Sequence, residues 1–226
     1  MEGIKNILKR TLFYKYVYSP WVTVRRNRFY EKRRSIFKQE ARSLLQRFVE
    51  CMYSEHIDYW LEFGTLLGAY RDRSFIPNDF DIDVGVWLSD ARRVNDVLKK
   101  NGFRLVREFH VVGENGLEQT YEYHGATIDV MYFYKEENQY WCNGVVLPSK
   151  WHEVVKTQVT AHWFKPFATK QMEFLGIQVS IPDNIEEHLM EIFGAGYMVY
   201  DPNFPGDLNK KRYSLDDKWG MGFVEY

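Results

Sequence analysis

The chain has 226 residues, 45% apolar and 27% charged, a composition that excludes a disordered chain and predicts one folded domain with extensions. Two cysteines, Cys51 and Cys142, exclude a disulfide scaffold and a four-cysteine zinc site and fit a reducing cytoplasm. The net charge of −1 hides a polarity: residues 1–47 hold thirteen Lys or Arg against three Glu, a net +10, so the remainder carries −11.

From Ile4 to Arg34 the basic residues are interleaved with Leu8, Leu12, Phe13, Tyr14, Tyr16, Tyr18, Trp21 and Phe29, the composition of a segment lying on an anionic membrane surface. No run approaches the ~20 apolar residues that a spanning helix needs, and no apolar signal region with a small-residue cleavage site follows the start. The expectation is a cytoplasmic protein held peripherally at the inner face of a membrane by its arm. A basic helix packed on the acidic body is the competing reading, and a nucleic-acid partner is not expected.

Phe37, Ala41, Leu44, Leu45, Phe48, Val49 and Met52 recur at spacings of three and four and predict a helix over Asn27–His56. A short strand at Asp58–Phe63 leads into a Gly64-Thr65 turn and a helical turn at Leu66–Tyr70. Alternation predicts a second strand at Asp81–Trp87, and Ser89 is the expected N-cap of a helix running to Asn101. Strands are then expected at 103–111, 119–124, 127–134 and 139–147. A strand over 171–181, broken at Gly176, and a helix over 184–193 follow, with a loop-like tail after Gly194. The pattern is α+β: a mixed sheet flanked by helices, with a basic N-terminal helical extension.

The chemically loaded segment is Gly64-Thr65-Leu66-Leu67-Gly68-Ala69-Tyr70-Arg71, followed by Ile76-Pro77-Asn78-Asp79-Phe80-Asp81-Ile82-Asp83. If all three were extended, Asp79, Asp81 and Asp83 would share one face, a crowding of negative charge that calls for a cation. Carboxylate ligands suit Mg²⁺ or Mn²⁺, which keep water and substrate phosphates in the rest of their shell. Asp129, flanked by Ile128 and Val130, joins the same site if its strand lies beside the first. Backbone N–H groups at Gly64-Thr65 would meet phosphate oxygens. The plain alternative is a solvated acidic loop. An EF-hand is excluded because Gly85 falls one place late in a loop counted from Asp79, and no Gly-x-x-x-x-Gly-Lys-Ser/Thr loop occurs.

These residues resemble the LicD/fukutin family, whose motif runs Gly-(Thr/Ser)-Leu-Leu-Gly-Ala-x-Arg and then Ile-Pro-(Trp)-Asp-x-Asp-x-Asp. The likeness is close from Tyr59 to Trp87 and weaker through Asp129 to Phe174–Pro182 and Phe193-Gly194. It implies a nucleotidyltransferase fold over residues 48–226 behind an arm and helix start over 1–47. It further implies transfer of a phospho-alcohol from a CDP-linked donor to a glycan or glycolipid acceptor. On that resemblance Asp81 and Asp83 are the metal pair, Asp129 the third carboxylate, Asp79 an auxiliary ligand, and Gly64, Thr65 and Arg71 phosphate contacts. The sequence departs from the motif at Asn78, where the family has Trp, and lacks one animal member's zinc-binding cysteines. Nucleotidyl transfer and an inactive glycan- or membrane-binding module are the alternative functions.

No two of the six histidines stand at a metal-ligand spacing, so structural roles are expected for them. Tyr121, Tyr123 and Trp141 are read as core aromatics before ligand stackers. Lys150, Lys156, Lys165 and Lys170 are candidate phosphate cations among which the sequence does not choose.

Overall fold

A computed structural model describes residues 19–111, 117–145, 155–200 and 219–223. Residues 1–18 of the expected arm lie outside them, as do Lys150 and the side chain of Lys156. Helix α1 (Ser19–Ser54) starts eight residues before the predicted Asn27. Before Asn27 no apolar period marks it, and Val24 and Phe29 are exposed. Pro20 suits that start, where its missing N–H would have had no intrahelical partner. From Phe37 onward the helix inserts Ala41, Leu44, Leu45, Phe48 and Met52 into one core, without a break at residues 47 and 48. Each such large side chain contributes roughly 1.5–3 kcal/mol through burial.

Strand β1 (Tyr59–Leu61) pairs antiparallel with β2 (Asp81–Trp87), and between them lie α2 (Phe63–Leu67) and a π-helical turn (Gly68–Asp72). Trp60 is opposite Gly85 in this ladder, and a Cβ there would lie 2.4 Å from the indole. Glycine in mid-strand is thus the condition for seating a fully buried tryptophan. Along β2, Ile82, Val84 and Val86 point into the core and Asp81 and Asp83 to the opposite face.

A 3₁₀ turn (Leu88–Asp90) then leads into α3 (Ala91–Lys100). Ser89 lies inside that turn and is not the N-cap; residue 90 stands there, its carboxylate bound to Arg93 at 2.6 Å. Strands β3 (Arg104–Val111), β4 (Leu117–Tyr123) and β5 (Ala126–Lys135) follow, and β5 returns to run parallel to β2. Strands β6 (Tyr140–Val145), β7 (Val155–Phe164) and β10 (Trp219–Phe223) complete a mixed eight-stranded sheet of order β1-β2-β5-β4-β3-β10-β7-β6. β6 also pairs with β5 at Tyr134 and Lys135, joining the far edge back to the centre.

Neither β7 nor β10 is predicted by the alternation. The expected loop-like tail is corrected at Trp219–Phe223, which lies between β3 and β7 as an interior strand. Strands β8 (Thr169–Phe174) and β9 (Ile177–Pro182) form a separate hairpin, turned by Leu175 and Gly176 at φ 53° and 74°. Helix α4 (Ile185–Phe193) closes one side. Among the described residues no helix is long and apolar enough to cross a membrane.

Candidate active site

The parallel ladder between β2 and β5 brings the predicted acids together, with Asp83 opposite Asp129 and Asp81 opposite Thr127. Asp79 is not on the strand: the turn Ile76-Pro77-Asn78-Asp79, closed by Asp79 N to Ile76 O at 3.0 Å, delivers it from the side. Asp79, Asp83 and Asp129 line a cavity of about 650 Å³ with Gly64 and Arg71, and Asp81, on the same face of β2 as Asp83, feels the positive charge of Arg33.

Gly64 forms the floor. A Cβ there would lie 3.2 Å from Asp79 Oδ2 and 3.6 Å from Asp83 Oδ2, so both carboxylates converge on a spot that only a hydrogen leaves open. The residue before it, Phe63, has φ 43°, a left-handed backbone that costs a non-glycine roughly 1–3 kcal/mol and marks an imposed geometry. Thr65 is buried, and its Oγ1 accepts from Asp83 N at 2.9 Å. The hydroxyl, as acceptor, ties α2 to β2; the backbone N–H of Thr65 is a second donor that could meet a phosphate. With five residues, α2 carries little macrodipole, so local N–H groups rather than a helix field do this work.

Asp129 is fixed on both oxygens: Thr120 Oγ1 donates to Oδ1 at 2.5 Å and Arg107 Nη2 to Oδ2 at 2.9 Å. A register shift in β3 between Leu105 and Arg107 sets this guanidinium opposite Thr120. The same Nη2 reaches Glu118 Oε1 at 3.3 Å, and Glu118 also lines the cavity. Arg71 forks onto Asp72 at 2.7 and 2.8 Å and donates to Tyr197 O at 3.3 Å.

Negative charge outweighs its local compensation. Burial first, then the Asp129 charge, pushes Asp81 up to about 7, and burial raises Asp79 to about 6 against the pull of Arg71. Asp83 lies well above the usual carboxylate range, from burial and then the charges of Asp81, Asp129, Asp79 and Glu118. Burial lifts Glu118 to about 7, opposed by Arg107.

These acids fit a hard divalent cation by chemistry and charge. Among the described residues, however, no three His, Cys, Asp or Glu side chains are disposed as a ready-made metal cluster. Asp129 is turned to Thr120 and Arg107 instead. Such a set suits an ion bound through one or two carboxylates and completed by phosphate and water.

The comparisons with known proteins give the family. The model of the LicD/FKTN/FKRP nucleotidyltransferase domain matches residues 56–184, more than half the chain. The chain belongs to the LicD/FKTN/FKRP family. It is 26% identical over 167 residues to human ribitol-5-phosphate transferase FKTN, covering 72% of this chain and 34% of that protein. It is 28% identical over 156 residues to human ribitol 5-phosphate transferase FKRP, covering 66% and 30%. A protein of Rickettsia typhi, described as uncharacterized, is 31% identical over 143 residues, covering 59% of this chain and 43% of that one. The chain thus spans about a third of the length of FKTN and FKRP. The lincomycin-bound lincosamide adenylyltransferase LnuA aligns with a TM-score of 0.40 at 14% identity, over 74% of this chain and 90% of that one.

Within this LicD-type site, sequence reasoning missed Arg107, Glu118 and Thr120, because only the pairing of β3, β4 and β5 brings them to Asp129. Alternating polar residues at Glu118, Thr120 and Glu122 were the available signal. It also missed His162, which lines the cavity with its ring 5.2 Å from Phe63. Tyr121 is fully buried with its hydroxyl on Gln119 at 2.8 Å, Tyr123 stacks on Phe103, and Trp141 stacks on Tyr134. Lys165 pairs with Glu187 and Lys170 donates to Asp183 O at 2.8 Å, so neither is directed to the carboxylates.

Proposed function

We propose that this protein transfers a phospho-alcohol from a CDP-linked donor to a hydroxyl of a cell-surface glycan or its lipid-linked precursor, with Mg²⁺ or Mn²⁺ bound. The observation that carries the reading is the convergence of Asp79 and Asp83 over Gly64, inside a cavity that Asp129 also lines. That FKTN and FKRP are ribitol-5-phosphate transferases supports a phospho-alcohol such as ribitol phosphate as the transferred group.

Asp79, Asp81 and Asp83 would hold the cation, which when bound neutralises diphosphate charge and polarises the phosphorus under attack. The Gly64 and Thr65 N–H groups orient the diphosphate from the floor, and Arg71 adds positive charge at the Asp79 side. The acceptor oxygen forms the new bond to phosphorus in line with the departing oxygen of CMP, and its proton passes to a carboxylate of the site, Asp129 or Glu118. Arg107 keeps Asp129 in one orientation throughout. The basic N-terminal segment would hold the enzyme at the inner face of an anionic membrane, where a lipid-linked acceptor is presented.

The test is to supply CDP-ribitol, CDP-choline and CDP-glycerol, each labelled in either half, with glycan acceptors and Mg²⁺. Arrival of the alcohol phosphate on acceptor with release of CMP is the expected result. Arrival of the cytidine half would establish nucleotidyl transfer instead, and turnover undiminished by EDTA would remove the cation from the reading.

A further inference from the structure

Behind the floor of the cavity lies a polar pair that no step above uses. Glu62 and His188 are both fully buried, and His188 Nε2 lies 2.8 Å from Glu62 Oε1, donating in the Nε2–H tautomer. The same Oε1 accepts from Phe63 N at 3.3 Å, and Oε2 accepts from the buried Trp60 Nε1 at 2.7 Å. Glu62 is also held by its backbone, which donates to Asp83 O at 3.0 Å. One residue, through its carboxylate and its backbone N–H, therefore ties together the left-handed Phe63, helix α4 and the strand bearing Asp83.

The imidazole is held in turn by aromatic rings. Phe164 stacks on it at 4.4 Å, and Phe167 meets it edge-on at 5.1 Å. Helix α4 then ends at Gly194, and the residues after it, among them Tyr197 and Tyr200, form the opposite wall of the same cavity. Nδ1 of His188 is buried without a hydrogen-bond partner among the described residues, so the contact with Glu62 is the polar bond that holds the ring, and losing it would leave the imidazole unsatisfied at both nitrogens.

We propose that the Glu62–His188 pair is a positioning device: it holds the Phe63–Thr65 turn against the carboxylates and sets its spacing from the Gly194–Tyr200 wall, and so governs binding of the donor diphosphate. The last clause rests on the function proposed above; the positioning itself does not. Neither residue is a catalytic residue, since both sit behind the surface that substrate touches.

Amide hydrogen exchange on the whole protein tests the positioning without any substrate. His188→Leu keeps the apolar packing and removes the donor, whereas His188→Gln retains an N–H able to reach Glu62. Exchange at residues 63–66 is expected to quicken about tenfold in His188→Leu and to return toward wild type in His188→Gln, with α3 and β4 unchanged in both. Unchanged exchange at 63–66, or an increase spread over the whole sheet, overturns the proposal. Should His188→Leu fail to fold, His188→Asn, too short to reach, takes its place beside His188→Gln. Calorimetry with CDP and Mg²⁺ then reads the donor clause: about tenfold weaker binding in the leucine variant, rescued by glutamine. Wild type that exchanges as expected but binds no CDP would sink the donor reading and leave the positioning role standing.

Discussion

Asp83 and Asp129 stand opposite each other on adjacent parallel strands, yet among the described residues only Asp129 has a cation paired with its oxygens. Arg107 fixes Asp129, while Asp83 is left among Asp81, Asp79 and Glu118. The two carboxylates are therefore unequal: one is a fixed point, the other depends on an added cation. Asp83→Asn is expected to lower turnover by about 10²–10³-fold, the range for a lost electrostatic stabiliser, without unfolding the protein. Steady-state kinetics beside circular dichroism decide it, and near-wild-type turnover would remove Asp83 from the mechanism.

The raised acids also predict a pH dependence. Asp79 near 6, Asp81 near 7 and Asp83, which burial and its acidic neighbours raise well above the usual carboxylate range, bind protons more tightly folded than unfolded. Their contribution to stability is thus present below about pH 4 and is lost as pH rises through 6 to 7. Metal-free protein is expected to lose thermal stability from this cluster between pH 5.5 and pH 8. Added Mg²⁺ should raise Tm more at pH 8, where the ligands are ionised. An equal Mg²⁺ response at both pH values would contradict this charge assignment.

Gly64→Ala tests the floor. Its Cβ would crowd Asp79 Oδ2 at 3.2 Å and occupy the approach to Asp83, while the backbone there needs no positive φ. Mg²⁺ and CDP should bind roughly tenfold more weakly by calorimetry, a loss of about 1.4 kcal/mol, with Tm within a few degrees of wild type. A variant that binds both normally would show that the phosphate approaches from elsewhere.

Much of this site is legible in the sequence, and the limit is physical. Gly64, Thr65, Asp81 and Asp83 stand in one local segment whose strand and turn follow from alternation and glycine, and Asp129 is marked by its apolar neighbours. What puts Asp129 beside Asp83 is a parallel crossover through α3, β3 and β4, and no local pattern encodes its register. Arg107 and Glu118 are hidden for the same reason. The interior strand at Trp219–Phe223 is obscured differently, because five residues with two glycines show too little alternation to read. Gly85 looks like a strand defect until Trp60 is set across from it.

Arg107 is expected to be the costliest charge to remove. It is largely buried between Asp129 and Glu118, so Arg107→Met strands two carboxylates in a low-dielectric wall. A destabilisation of about 3–5 kcal/mol is expected by urea denaturation, much of it recovered on adding Glu118→Gln. Strict additivity of the two substitutions would show that they do not share the ion pair.

The N-terminal segment gives the last prediction. Residues 1–26 carry Lys5, Lys9, Arg10, Lys15, Arg25 and Arg26 and no acid but Glu2. Each basic side chain near an anionic bilayer contributes about 1 kcal/mol, a term that salt screens, and aromatic insertion adds one that it does not. Among the described residues helix α1 packs on the core from Ile36 onward, so removing residues 1–26 spares that buried face and the contact of Arg33 with Thr127. Deletion of Met1–Arg26 should leave turnover on a soluble acceptor within about twofold of wild type. Sedimentation with phosphatidylserine vesicles should fall, and the difference should narrow as salt is raised. Vesicle binding unaltered by the deletion would make this segment a packing element and end the membrane reading, while the carboxylate site would stand on its own geometry.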